Sequence, residues 1–361
     1  MKIIHCADLH LDSKMESNLS KEQAIQRREE LVQTFVNMVG FAKTNDVKII
    51  IIAGDMFDTS QNNQVRIKRR VLEQIKSSEE IDFIYLRGNH DKVDFFEKLE
   101  EKPDNLKMFH DSWTSFTYGD IVINGCELSK NSGNSIYSEL SLKQDRINIV
   151  VLHGQESNYD KKDDAEVINM TLLKNRNIDY LALGHIHTYK YAKLDNRGSY
   201  CYCGCLEGRG FDECGEKGFV LIDVDDKKVD HSFIPLAKRK LHEVAVVLSG
   251  SMSESQIQEV IEDKLIGIPK IDFVKIIFTG EIDEETDIDI KYLLSIFSSR
   301  FYFLKIYDQT KLMLCYEDYA KDISLKGEFI RLVQEQDLDE DEKNKIILTG
   351  LKALAGREID I

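Results

Sequence analysis

The sequence lacks a hydrophobic run that approaches the length of a membrane span. Its apolar N-terminal stretch is interrupted by His5 and ends at Asp8, so it is too short and too polar for a signal peptide. We therefore expect a cytoplasmic protein with no membrane partner. Internal repeats and low-complexity linkers are also missing, and 361 residues are enough for one large domain and a smaller one.

The sequence also lacks the even number of cysteines that a fully paired disulfide framework would have. Seven cysteines in a long chain without an export signal argue against a disulfide framework. Four of them are close in sequence: Cys201, Cys203, Cys205 and Cys214. Structural zinc sites favour cysteines separated by two to four residues. Here the first three alternate along a predicted strand, and we expect their side chains to be split between its two faces. Buried thiols are therefore favoured over a zinc site.

The chain has no excess of positive charge. It contains 48 Lys and Arg residues and 64 Asp and Glu residues, which gives a formal net charge of −16. Nucleic-acid binding usually draws on Lys and Arg to neutralise phosphates, so this balance counts against DNA as a substrate. Local basic patches and bound divalent cations would offset it.

The first part of the chain alternates between short apolar runs and helical spacing, which predicts a layered α/β architecture. The helix expected at 21–44 has Leu31, Phe35, Val39 and Ala42 on one face. A second helix is expected at 64–76. Strands are expected at 3–7, 47–53, 81–86, 121–126, 147–152, 180–183, 200–203 and 219–224. We assign residues 1–240 to this domain.

The pattern changes after the basic step at residues 238–240. Strands are expected at 244–248, 273–278, 302–306 and 311–315, and helices at 253–265 and 288–297. These form a small α+β second domain, residues 241–320, which is expected to cap the first domain. Residues 321–361 are expected to be a helical tail, whose last segment has Ile347, Leu351 and Leu354 at helical spacing.

Five short motifs, each after a predicted strand, carry residues suited to metal binding. They are Asp8-Leu9-His10, Gly54-Asp55-Met56-Phe57-Asp58, Gly88-Asn89-His90-Asp91, His153-Gly154 and Gly184-His185-Ile186-His187. Oxygen and imidazole ligands suit Mn²⁺, Fe²⁺ or Zn²⁺ better than a site made only of sulfur. Open α/β sheets place their sites at the carboxyl ends of strands, so these residues are expected to converge.

Together the motifs resemble the calcineurin-like metallophosphoesterase superfamily, whose pattern is D-x-H, G-D-x-x-D, G-N-H-[DE], H and G-H-x-H. The resemblance covers roughly residues 1–225. It implies a β-sandwich flanked by helices in four layers, αββα, with a two-metal phosphoesterase centre. Residues 2–11, residues 54–58 and the appended second domain resemble the SbcD-type DNA exonucleases, relatives of the meiotic-recombination-eleven repair nuclease.

The resemblance also implies a role for each motif residue. Two divalent ions are expected, Mn²⁺ in preference to Fe²⁺ or Zn²⁺. The first would be held by Asp8, His10 and His187, the second by Asn89, His153 and His185, and both by a bridging Asp55. Two such ions can clamp a phosphate and activate a water.

Beside the ligands, His90 matches the family position that acts on the leaving group, and Asp91 could fix its imidazole by a hydrogen bond. Asp58 could orient a ligand or stabilise its loop. Some nuclease relatives have a histidine at that position. The Arg-Gly that follows this motif in protein phosphatases is absent, which disfavours that class.

Three further features each have two interpretations. Arg209, in the glycine-bounded loop 207–213, could contact a substrate phosphate, or the loop could be a tight surface turn. One face of the helix expected at 64–76 is basic and contains Arg66, Arg69 and Arg70, with Lys68 beside them. This face could contact a nucleic-acid backbone or be a solvated helix face. The basic step at residues 238–240 has the same two interpretations. The terminal helix could dock on a partner or pack on its own domain.

The predicted function is that of a metal-dependent DNA nuclease, exonuclease and also endonuclease, in DNA repair. The resemblance implies DNA as substrate and an SbcC-type coiled-coil ATPase as partner. A homodimer is a further expected assembly. One alternative is a phosphodiesterase for a small nucleotide or lipid-linked phosphate, which the acidic charge fits better. A second alternative is an inactive scaffold subunit, which has no need of a full ligand set.

Overall fold

A computed structural model describes residues 1–15, 19–58, 65–91, 95–96, 99, 101–128, 135–158, 167–226, 228–283, 286–313, 319 and 322–354. The chain divides into two compact units, Met1–Lys240 and Leu241–Ile361. No helix in the described part of the chain combines the length and apolarity that a membrane span requires.

The strands of the first unit are short and mostly apolar. They are β1 (Lys2–Cys6), β2 (Val47–Ala53), β3 (Asp82–Leu86), β4 (Leu106–Met108), β5 (Thr114–Tyr118), β6 (Ile121–Gly125), β7 (Ile147–His153), β8 (Gln155–Ser157), β9 (Val167–Asn169), β10 (Tyr180–Gly184), β11 (Lys190–Lys193), β12 (Ser199–Tyr202), β13 (Gly218–Asp225) and β14 (Lys228–Pro235). The helices of this unit are α1 (Lys21–Thr44), α2 (Val65–Lys76), α3 (Ser135–Glu139) and α4 (Met170–Leu173).

Two six-stranded sheets form the centre of this unit. Their strand orders are β14-β13-β1-β2-β3-β4 and β11-β12-β10-β7-β6-β5. Strands β1 to β4 run parallel, as do β6, β7, β10 and β12. Strand β2 is buried along almost its whole length because its isoleucines face apolar layers on both sides.

Three apolar clusters define the layers. One lies between the two sheets and contains side chains such as Ile51 and Val151. A second packs α1 and α2, through Phe35 and Ile75, on the outer face of the first sheet. The third covers the outer face of the second sheet and includes Ile136 of α3 and Leu173 of α4. The predicted four-layer αββα metallophosphoesterase fold is therefore confirmed.

Helix α1 shows why the local sequence forms its element. Ser20 and Gln23 form a reciprocal capping box that satisfies free amides at the first turn. The predicted face is confirmed, since Leu31, Phe35, Val39 and Ala42 are all buried. Burial of each large apolar side chain contributes about 1.5–3 kcal/mol to the stability of the layer.

The cysteine prediction is partly confirmed. Cys201, Cys203 and Cys205 are buried free thiols, and Cys214 is half-buried. However, Cys201 and Cys203 pack in the same cluster between the sheets. The expectation that their side chains split between two faces is wrong, because residues two apart along an extended segment share a face.

The second unit contains a sheet and a helical hairpin. Its elements are β15 (Leu241–Gly250), α5 (Glu254–Leu265), β16 (Phe273–Ile282), α6 (Ile290–Phe297), β17 (Phe303–Asp308), β18 (Lys311–Leu312), α7 (Leu325–Gln334) and α8 (Glu340–Leu354). The predicted strand at 311–315 extends beyond the described residues. All pairings of this sheet are parallel, with α5 and α6 as crossovers.

The terminal helix packs within its own unit. Ile347 of α8 is fully buried against Ile330 and Val333 of α7, and Leu351 packs on the same cluster. Leu354 is 46% exposed. Packing on the helix's own unit therefore accounts for Ile347 and Leu351, whereas Leu354 is left partly open to solvent.

Candidate metal centre

The five motifs lie at the carboxyl ends of five strands. Asp8 and His10 follow β1, and Asp55 follows β2. Asn89 and His90 follow β3, His153 is the last residue of β7, and His185 and His187 follow β10. The parallel strands of the two packed sheets bring these ends to one edge of the sandwich, as the sequence predicts.

Hydrogen bonds join the strand ends to one another. The amide of His185 donates to both carboxylate oxygens of Asp8, at 2.9 and 3.1 Å. The amide of His90 donates to Oδ1 of Asp55 at 2.8 Å, and the amide of His10 donates to the Asp55 carbonyl at 3.0 Å. The two sheets are therefore connected through the candidate ligands themselves.

Four of these residues adopt left-handed backbone conformations. Their φ angles are 52° for Asp8, 42° for His10, 52° for Asp55 and 96° for His185. Such angles cost roughly 1–3 kcal/mol for a residue with a side chain and persist only where the surrounding structure imposes them. Their concentration at one edge of the fold indicates a functional site.

One side of the site joins Asp8, His10 and His187. One ligand atom from each lies within 4.8 Å of the others. His10 is fully buried, and its ring nitrogens lie near the carboxylates of Asp55 and Asp58 without making a hydrogen bond among the described residues. A buried imidazole that lacks hydrogen bonds is costly unless a ligand satisfies it, so this group fits a metal ion.

The other side joins Asn89, His153 and His185. Oδ1 of Asn89 lies 2.9 Å from Nε2 of His153 and 3.3 Å from Nδ1 of His185. Nδ1 of His153 lies 2.9 Å from the carbonyl of Ala53, which fixes the ring and leaves Nε2 facing the site.

Asp55 lies between the two sides. Its Oδ2 is 3.9 Å from Nε2 of His10 and 3.4 Å from Nε2 of His153. Burial opposes ionisation, but the contacts with His153 and His10 lower the pKa of Asp55 to about 2. An ionised carboxylate in this position can offer one oxygen to each side.

Two glycines allow this close packing. A Cβ at Gly54, whose φ is 97°, would lie 2.1 Å from Nδ1 of His153. A Cβ at Gly88 would lie 2.2 Å from Oδ1 of Asp55. Any side chain at either position would displace a candidate ligand.

The carboxylate beside His90 belongs to Asp58. Its Oδ1 lies 3.2 Å from Nδ1 of His90 and 3.4 Å from Nδ1 of His10. The contacts with His10 and His90 hold the pKa of Asp58 well below its usual range, and the contact with Asp58 raises the pKa of His90. The His90 side chain is 47% exposed, so it can reach a substrate.

Asp91 does not make the contact that the sequence suggested. Its carboxylate accepts hydrogen bonds from the amides of Met56, Phe57 and Gly88, at 3.2, 2.9 and 3.0 Å. The ring of His90 pairs with Asp58 instead. The difference arises because the Asp91 side chain turns inward beneath the Asp55 loop, where burial raises its pKa to about 6.

The basic residues have different surroundings. Arg209 lies at the site, with Nη2 3.0 Å from Glu213 and Nη1 3.7 Å from Asp58. Arg66 and Arg69 are exposed on α2, and no contact between described residues joins them to the ligand groups.

Their predicted neighbour Lys68 points inward instead. It is buried, and its ammonium lies 3.7 Å from Asp12. Arg70 of the same helix pairs with Glu29 at 2.7 Å. The expected basic face of α2 is therefore smaller than the sequence suggests.

Arg239, within the basic step at residues 238–240, is part of a buried network. Arg239 is 5% exposed and binds Glu30 of α1 through Nε and Nη2, at 2.9 and 2.7 Å. The Lys238 ammonium lies 2.9 Å from the same carboxylate. Arg239 is therefore neither part of a solvated face nor available to contact nucleic acid, because its guanidinium pairs with Glu30 inside the fold.

Two carboxylates near the site are not predicted by the sequence motifs. The carboxylate of Asp12 is fully buried and accepts a hydrogen bond from the backbone amide of Asp58. In sequence, Asp12 continues the spacing of two residues that separates Asp8 from His10. That alternation was a usable signal. Glu213, within the 207–213 loop, lies 2.6 Å from Nδ1 of His187. Nothing local in the sequence indicates this contact.

The chain is similar to a known family and to several known proteins. Residues 1–189 match the family model of calcineurin-like phosphoesterases. The chain is 24% identical to YhaO of Bacillus subtilis, an uncharacterised metallophosphoesterase, over 73% of this chain and 67% of YhaO. A dimetal phosphatase structure from Danio rerio is 11% identical, with a TM-score of 0.43 over 63% of this chain and 93% of that chain.

Two further relatives are named as a DNA repair protein and as a nuclease subunit. The chain is 28% identical to the DNA double-strand break repair protein Mre11 of Sulfurisphaera tokodaii, over 62% of this chain and 59% of that protein. It is 23% identical to the SbcD component of the nuclease SbcCD of Staphylococcus saprophyticus, over 73% of this chain and 74% of that component. Because the family model matches more than half of its residues, the chain belongs to the calcineurin-like phosphoesterase family.

Proposed function

We propose that this protein is a two-metal phosphodiesterase that cleaves DNA in the manner of an SbcD-type nuclease. The observation that carries the chemistry is the convergence of seven oxygen and imidazole donors at one sheet edge. In the proposal, Asp8, His10 and His187 hold one ion and Asn89, His153 and His185 hold the other, with Asp55 shared. Mn²⁺ suits these donors, as do Fe²⁺ and Zn²⁺.

Bound divalent ions at such a centre supply Lewis acidity that polarises a phosphate ester and activates water. The protein's own contribution is to orient the ester and to manage the proton of the leaving group. His90 is the group proposed for that proton, because its ring is half exposed and its Nδ1 faces Asp58. The Asp58 carboxylate stabilises the protonated imidazole, which then donates from Nε2.

Asp91 supports this arrangement from behind. By accepting three backbone amides it fixes the turns that carry Asp55 and His90, which is a positioning role. Arg209 is proposed to meet a substrate phosphate at the rim of the centre, and the exposed Arg66 and Arg69 to meet the nucleic-acid backbone farther away.

The choice of DNA rests on relatives rather than on the metal centre. A match over 73% of the chain to a nuclease component cannot be confined to residues 1–240, so it includes part of the second unit. We extend the analogy to a coiled-coil ATPase partner of the SbcC type. The capping role of residues 241–320 and the partner-binding role of residues 321–361 belong to this proposal.

A second candidate is a phosphodiesterase for a small nucleotide or lipid-linked phosphate. The observation in its favour is the net charge of −16, which opposes long-range attraction of a polyanion. It requires the same ions and the same role for His90, so only the substrate separates the two.

The test is to incubate the purified chain with Mn²⁺ and to offer linear double-stranded DNA, single-stranded DNA and bis-p-nitrophenyl phosphate in parallel. DNA cleavage that is lost in Asp8→Asn and slowed in His90→Asn supports the nuclease. Cleavage of the small diester alone would exclude DNA as substrate and support the second candidate. Absence of metal-dependent turnover with all three would contradict both.

A further inference from the structure

We propose that Glu213 is a positioning residue that fixes the imidazole of His187 for metal binding. The inference rests on the proposed function, because it assumes that His187 is a ligand. Glu213 lies 26 residues beyond His187 in the chain and outside all five motifs.

The geometry between the two side chains carries the proposal. Oε1 of Glu213 lies 2.6 Å from Nδ1 of His187, and Glu213 is only 3% exposed. A carboxylate beside Nδ1 holds the proton on that nitrogen. Nε2 then keeps a free lone pair that is available to a metal ion.

Glu213 is itself held by hydrogen bonds within its own loop. The amide of Arg209 donates to its Oε2 at 2.7 Å, and the Arg209 guanidinium donates to its Oε1 at 3.0 Å. The amide of Glu213 donates to the Gly210 carbonyl at 2.9 Å. Both carboxylate oxygens therefore have fixed partners, and the Arg209 charge offsets the cost of burying this anion.

The same segment also holds the backbone of His187. Lys217, which is buried, donates from Nζ to the His187 carbonyl at 2.7 Å. The ring and the backbone of His187 are thus fixed by two residues of one segment, 213 and 217. This double attachment is what a metal ligand on an irregular segment requires for a stable orientation.

The base of the loop is anchored to helix α1. Glu207 accepts hydrogen bonds from Arg27 at 3.0 Å and from Thr34 at 2.8 Å, and Arg27 also donates to the Gly208 carbonyl at 2.8 Å. All three side chains are buried. Loop 207–213 is therefore not a plain surface turn, because a buried ionic network connects it to the core.

The experiment measures metal binding rather than turnover alone. Metal-free wild type, Glu213→Gln and Glu213→Asp are titrated with Mn²⁺ by calorimetry, and bound Mn²⁺ is counted after equilibrium dialysis. The visible spectrum of Co²⁺-loaded protein reports the coordination of the ions. Glu216→Gln is the matched control, because Glu216 is exposed in the same segment. Circular dichroism confirms that each variant is folded.

Wild type is expected to bind two ions. Glu213→Gln should weaken one of them about 10–100-fold and alter the Co²⁺ spectrum. Glu213→Asp should recover part of the affinity because it keeps the charge, and it provides the measurement if the Gln variant does not fold. Glu216→Gln should match wild type.

Two results would overturn the inference in distinguishable ways. If wild type binds two ions and the Glu213 variants bind both with unchanged affinity and spectrum, the positioning role is refuted while the metal centre stands. If wild type binds no divalent ions, the proposed function fails first, and this inference fails with it.

Discussion

The carboxylate of Asp58 lies 3.2 Å from Nδ1 of His90. The imidazole of this pair is half exposed. The backbone amide of Asp58 in turn donates a hydrogen bond to the buried carboxylate of Asp12. The arrangement fixes which nitrogen of His90 faces the protein and leaves Nε2 for substrate. It therefore gives an expectation for His90 that differs from the one for the metal ligands.

Replacing His90 by Asn should slow phosphodiester hydrolysis about 10²–10⁴-fold while both ions stay bound, because His90 is proposed for proton transfer and not for metal binding. Turnover of bis-p-nitrophenyl phosphate and metal content measure the two quantities. The exposed His110, replaced in the same way, is the control. Unchanged turnover in the His90 variant would remove this residue from the mechanism.

Replacing Asp55 by Asn should abolish binding of both ions, because its carboxylate faces His10 on one side and His153 on the other. Equilibrium dialysis against Mn²⁺ measures the stoichiometry. Asp46→Asn is a matched control, since Asp46 has a similar φ of 57° and is exposed. Two ions per chain in the Asp55 variant would show that the residue does not bridge.

Replacing Gly54 by Ala should destabilise the protein by more than about 3 kcal/mol and impair metal binding. The new Cβ would clash with the His153 ring. A second cost is the backbone strain of a residue with a side chain at a φ of 97°. Gly215→Ala isolates the strain, because its φ is 90° and a Cβ there meets no atom within 4 Å. Urea unfolding of both variants gives the difference. Equal destabilisation would mean that the contact with His153 can relax.

Glu30 provides a prediction for the dependence of stability on pH. Burial opposes its ionisation, but contacts with Arg239, Arg27 and Lys238 lower its pKa to about 2, below its ordinary value of 4.5. A depressed carboxyl pKa stabilises the fold above the ordinary value. That stabilisation, about 3 kcal/mol, is lost as the pH falls from about 5 toward 2.

Urea unfolding of wild type and Glu30→Gln at several pH values tests this expectation. The difference in stability should be largest near neutral pH and should shrink below about pH 5. Glu73→Gln, at an exposed position of α2, should show a small difference at every pH. A constant difference for Glu30→Gln would show that its ionisation does not contribute.

The elements that the sequence predicted are those with strong local signals. Strand β2 and helix α1 have the expected bounds, Val47–Ala53 and Lys21–Thr44, because a continuous β-branched run and an amphipathic helix need little context. Strands β5 and β14 were missed. Both lie at sheet edges, and their half-exposed residues have no continuous apolar run.

The convergence of the motifs was predictable, whereas the contacts around them were not. Strand ends in an α/β sheet meet at one edge, so the order of motifs was enough to bring Asp8 close to His185. The partner of each imidazole depends on side-chain direction, which the chain's long-range packing decides. For this reason Asp58 rather than Asp91 faces His90, and Glu213 was not recognised.

The pairing of β1 with β13 has a consequence for synthesis on the ribosome. Lys2 pairs with Asp223 and His5 with Val220. One edge of β1 therefore has no partner strand until more than two hundred further residues have been synthesised. Asp8 likewise meets His185 only after that segment has emerged. A nascent chain therefore exposes one unpaired edge of β1 until β13 has emerged, and it cannot assemble the site before His185 and His187 have emerged.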